Sequence, residues 1–92
     1  METIAQHDMC KTLPFVSQQG DKRKNWLVSS SGDYEADYRT GRQYARKLLE
    51  QIHVRAITPF FMAVVMSDMP LEKGPIENGF IAELTRIAAS AV

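Results

Sequence analysis

Polar and apolar positions along this chain change rhythm several times, and each change marks a predicted element. From Tyr34 the apolar side chains recur at helical spacing through about Val54. At about 100° per residue, Tyr34, Tyr38, Gly41, Ala45, Leu48, Leu49 and Ile52 fall in one arc. The pattern predicts an amphipathic helix of roughly five to six turns. Asp33 stands where an N-cap belongs, and Glu35 and Asp37 suit the positive end of the helix dipole.

A second helix is expected from Thr58-Pro59, with Thr58 as N-cap and Pro59 in the first turn, where its missing donor costs nothing. "PFFMAVVMSDM" is apolar on nearly all sides, so this helix needs cover around most of its circumference. "PLEKG" breaks the chain, and Pro75 opens a third helix running to about Ala91. Ile76, Phe80, Leu84, Ile87 and Ala91 share one face, widened by Ile81 and Ala88. Before the first helix, "TLPFVS" (12–17) and "NWLVS" (25–29) read as β-strands joined across Gly20-Asp21. Pro14 confines the first of them to an edge. A lone hairpin is marginal in water, so Phe15, Trp26 and Val28 are expected to face a helix.

The fold class that follows is α+β and mainly α: a three-helix domain with an N-terminal β-hairpin packed against the helices. Residues 1–11 show no periodicity and are expected to be a flexible N-terminal segment, with 12–92 forming a single globular domain. A chain of 92 residues holds one domain. A hydrophobic share of 45% places it among ordinary globular proteins.

Charge narrows the function classes. Eleven basic residues balance eleven acidic ones, so bulk electrostatics do not drive the chain toward nucleic acid or anionic lipid. The single cysteine forms no internal disulfide, and the N-terminus lacks the pattern of a signal peptide. No apolar run is long enough to span a bilayer. The expectation is a cytoplasmic protein without membrane contact.

Candidate chemistry is sparse. Arg39, Arg42 and Arg46 share one side of the first helix, and guanidinium forks suit phosphate oxygens. Glu35 and Glu50 lie on that side too, at i,i+4 spacing from Arg39 and Arg46, so the face is expected to pair within itself. Arg42 has no acid four residues away in either direction. Lys22, Arg23 and Lys24 in the hairpin form the densest basic cluster, next to Trp26. These six residues are the candidate contacts to a partner or an anion.

Gly41 lies inside the apolar arc, where glycine costs about 1 kcal/mol relative to alanine. Close approach of another backbone, or room for a ring such as Trp26 or Phe80, is the expected return. Gly79, Ala82, Ala89 and Ser90 make a small-residue face on the third helix. Gly41, Gly79, Ala82 and Ala89 are therefore candidate helix–helix interface positions, and a partner chain is a natural occupant. Tyr34 and Tyr38 are expected on the core side, with Tyr44 at its edge. Glu77 falls in the apolar arc but in the first helical turn, where a carboxylate is favoured; an arginine or a tyrosine hydroxyl is its expected partner.

"HDMC" offers His7 and Cys10 as half of a metal site with no second half, and His53 stands apart. Nothing supplies an orienting partner or oxyanion donors for Cys10 as a nucleophile. No catalytic, cofactor-binding or metal site is expected. The sequence reads as a non-enzymatic interaction or assembly module, homodimeric or bound to another protein. A nucleic-acid-associated protein using the basic turn and the arginine face is the second reading.

Overall fold

The computed structural model describes residues 13–90. The expected flexible segment 1–11, with His7 and Cys10, lies outside the described residues, as does Ala91. Within them the order is β1 (Ser17–Gln19), β2 (Lys22–Lys24), α1 (Tyr34–His53), α2 (Phe60–Asp68) and α3 (Pro75–Ser90). The fold is α+β, mainly α, with three helices and one antiparallel hairpin.

The long helix starts as its sequence requires. Asp33 accepts from the amides of Glu35 (3.1 Å) and Ala36 (3.4 Å), which supplies acceptors for donors no helical carbonyl can reach. Behind it, the Asp37 carboxylate accepts from the Ser30 hydroxyl at 2.7 Å and from the Ser31 amide at 3.0 Å. The serine-rich loop is thereby tied to the helix it precedes. Ser30, with Ser31, holds the Asp37 carboxyl below the usual carboxylate range. At α2 the expected cap differs. Pro59 takes the cap position with no side-chain bond, and backbone carbonyls of Thr58 and Pro59 receive the first amides at 3.0 Å. The proline ring already has helical φ, so the turn closes on backbone alone.

α1 and α3 form the main packing unit, and their crossing explains Gly41. A Cβ there would stand 1.9 Å from the Ile76 carbonyl oxygen. On the other side, a Cβ at Gly79 would stand 2.0 Å from the Tyr38 carbonyl oxygen. Each glycine admits the partner helix's backbone, so the space is filled by main chain and not by a ring.

The hairpin is shorter and closer to its turn than the apolar runs suggest: β1 begins at the last residue of the expected strand 12–17, and β2 ends before the expected strand 25–29, which forms no strand. Ser17 pairs with Lys24 and Gln19 with Lys22 around a two-residue turn. Gly20 has φ +62°, the sign that a two-residue hairpin turn needs at its first position. Residues 13–16 form a turn instead of a strand, with the Val16 amide on the Leu13 carbonyl at 3.1 Å. Pro14 cannot join a ladder, and the apolar residues are used elsewhere. Phe15 and Trp26 flank the hairpin and enter the core, where their rings lie 5.2 Å apart. Phe80 meets Trp26 at 5.0 Å and Phe15 at 5.8 Å; Tyr44 meets Phe15 at 5.4 Å. Leu13, Ala45, Leu48, Ile57, Phe61, Val65, Met69 and Ile76 complete the buried core.

Candidate functional site

The side chains of α1 and α3 converge on Glu83, whose carboxylate is fully buried. Oε1 accepts from Arg42 Nε at 3.1 Å, and Oε2 from Arg46 Nε at 2.8 Å and Arg86 Nη2 at 2.6 Å. Arg86 lies one turn beyond Glu83 on the same helix, while Arg42 and Arg46 reach across from α1. The arginine side chains stay 39% (Arg42), 53% (Arg46) and 57% (Arg86) exposed. Arg86, then Arg46 and Arg42, holds the Glu83 carboxyl far below the ordinary value of 4.5 despite burial, which pulls the other way. Three guanidinium charges on one carboxylate leave the cluster positive by two.

This arrangement corrects the expected pairing along α1. Among the described residues Glu35–Arg39 and Arg46–Glu50 are not ion pairs; Arg42 and Arg46 turn to α3 instead. Helical periodicity relates residues of one helix and is silent on what a second helix brings. The signal was present nonetheless. Arg42 had no acid four residues away on its own helix, and Glu83 shares a side of α3 with Gly79, which enters the crossing.

Arg42 has a second role. With Tyr34, Glu35, Tyr38 and Arg39 it lines an open surface pocket of about 310 Å³. Tyr34, expected on the core side, is 58% exposed. It stands one turn before the Tyr38–Gly79 contact, so α3 does not cover it. Its ring stacks on that of Tyr38, with centroids 6.1 Å apart and planes 19° from parallel. Tyr44, expected at the edge of the core, is half-buried against the aromatic cluster there.

The basic hairpin residues do not act as a trio. Strand alternation turns Arg23 inward, where its guanidinium lies 5.4 Å from the Phe61 ring centre and its Nε donates to Asn25. Lys22 and Lys24 stay exposed. The Asn25 amide in turn donates to Asp68 at 3.1 Å, which ties the hairpin to the end of α2.

Glu77 is buried at the start of α3, as its place in the arc implies, but its partner is neither arginine nor tyrosine. Trp26 Nε1 donates to Oε2 at 2.7 Å and the Gly74 amide to Oε1 at 2.9 Å. Asp37, Glu77 and Glu83 are the buried carboxylates among the described residues, and every one of them is engaged by donors. No three His, Cys, Asp or Glu side chains gather there as a metal site requires.

A separate feature lies between the helices. Leu49, Met62, Met66, Ile81, Leu84, Thr85, Ile87 and Ala88 line an open groove of about 450 Å³ whose walls are almost wholly apolar. α2 buries Phe61 and Val65 and leaves Met62 and Val64 half-covered and Phe60 74% exposed. Of the candidate interface positions, Gly41 and Gly79 are taken up by the α1–α3 crossing, Ala82 is half-buried and Ala89 is exposed. No described helix is long and apolar enough to cross a membrane. No family model, curated protein or solved structure matches the chain.

Proposed function

We propose that the protein is a small assembly module that acts by binding, with a second copy of itself as the partner. The observation that carries this reading is the apolar groove formed by Leu49, Met62, Met66, Ile81, Leu84 and Ile87. Contiguous apolar surface on a small domain marks an interaction site. A two-fold axis would seat the groove of one copy on that of the other, since the same patch then serves both sides. Zero net charge leaves little long-range repulsion between copies. The engagement of the buried carboxylates favours binding over acid–base catalysis, because none of the three is left over for proton transfer.

Sedimentation at tens of micromolar tests the reading, with a dimer as the expected species. Met66→Lys and Ala88→Glu place charge on exposed groove positions and are expected to give monomers that melt as folded domains. A monomeric parent protein, or variants that remain dimeric, would remove the groove as the interface.

A further inference from the structure

We propose that the pocket of Tyr34, Glu35, Tyr38, Arg39 and Arg42 binds a nucleoside phosphate, with Arg42 and Arg39 on the phosphoryl group and the Tyr34 ring under the base. The proposal is independent of self-association, whose groove is lined by a separate set of residues.

Arg42 is the centre of the site. An arginine held through Nε keeps its two terminal nitrogens for another acceptor, and Glu83 holds Arg42 by Nε. Among the described residues these terminal nitrogens make no hydrogen bond, although the side chain is only 39% exposed. The fork is thus fixed in direction before any ligand arrives, which lowers the ordering cost of binding. Arg46 and Arg86 supply the neutralisation that Glu83 needs, so Arg42's charge remains available to an anion. Arg39, exposed and without an ion pair among the described residues, adds a second guanidinium to the same pocket.

An anion alone would not need the tyrosines. Tyr34 is an exposed ring, offset from Tyr38 and nearly parallel to it, and set beside two arginines. That is a stacking surface next to a cationic fork, the combination that reads a base together with its phosphate. Glu35 lines the same pocket and accepts hydrogen bonds, which suits the hydroxyls of a ribose and opposes a second phosphate there. Glu50 on the same helix and the balanced total charge also act against a long polyanion. A single nucleotide fits this distribution better than a strand of nucleic acid, in which successive phosphates must all be accommodated.

Equilibrium titrations with AMP, adenosine, inorganic phosphate and a short RNA oligonucleotide test the assignment. AMP is expected to bind more tightly than either adenosine or phosphate, because each engages only half of the site. Arg42→Gln and Tyr34→Ala are each expected to weaken AMP binding about tenfold or more. Of these two variants, only Arg42→Gln should also weaken phosphate. Arg39→Gln, outside the Glu83 cluster, repeats the test if Arg42→Gln lowers the melting temperature. AMP binding no tighter than phosphate, or unchanged in the folded variants, overturns the proposal. RNA bound more than about tenfold tighter than AMP overturns it in favour of a strand-binding surface.

Discussion

A carboxylate withdrawn from water needs donors for its lone pairs, and Glu83 finds them in Arg42, Arg46 and Arg86. Because the folded-state proton affinity of this group lies far below its ordinary value, the sign of the pH effect follows. The contribution is fully present above about pH 4.5, the unfolded value, and is lost progressively as acid protonates the group on the way down to its depressed folded value. Denaturant titrations at pH 7 and pH 3 should therefore show a loss in the parent protein that is reduced in Glu83→Gln. At neutral pH the same substitution should destabilise. The cost should fall below the roughly 3–5 kcal/mol of a wholly buried pair, because the arginine ends remain half in water. Glu77 makes the same demand with neutral donors, the Trp26 indole and the Gly74 amide. The sequence showed that Glu77 sits in an apolar arc. It did not show that Trp26, far away along the chain, supplies the proton.

At the scale of elements, legibility tracked how local each cause is. The bounds of α1 and α3 follow from Asp33, the apolar period and Pro75, all of which act within a few residues. The hairpin lies nearer its turn because the apolar residues flanking it serve the core, which leaves the polar "SQQ" and "KRK" to form the ladder. Gly41 tests the crossing. Alanine at this site gains about 1 kcal/mol of helix propensity. Against that, its Cβ meets the backbone oxygen of Ile76, which has no flexible end to move aside. Gly41→Ala is expected to destabilise despite the propensity gain, by about 1–3 kcal/mol or more, since overpacking displaces a whole helix. Chemical denaturation would read this directly. A stabilised Gly41→Ala would mean that the two helices do not cross at Gly41.

For the whole molecule, a chain this small has few elements with which to cover an apolar helix, and α2 shows the consequence. One side carries Phe61 and Val65 into the core, and the rest depends on whatever lies against the groove and the exposed Phe60. If a second copy covers the groove, folding and association are linked, and the melting temperature should rise with protein concentration. Ala88→Glu should abolish that dependence. A melting temperature independent of concentration in the parent would count against the assembly reading.

What the sequence by itself determined is the class of fold, the starts of α1 and α3 set by Asp33 and Pro75, and the requirement that Gly41 face something close. Those are consequences of periodicity and backbone chemistry acting over one or two turns. Only the tertiary structure decided that Arg42 and Arg46 answer to Glu83, that Tyr34 lies open beside them, and that Arg23 leaves the basic turn for the Phe61 ring. A helical wheel assigns directions around one axis. Which charge meets which depends on where a second axis crosses it, and the two glycines set that crossing.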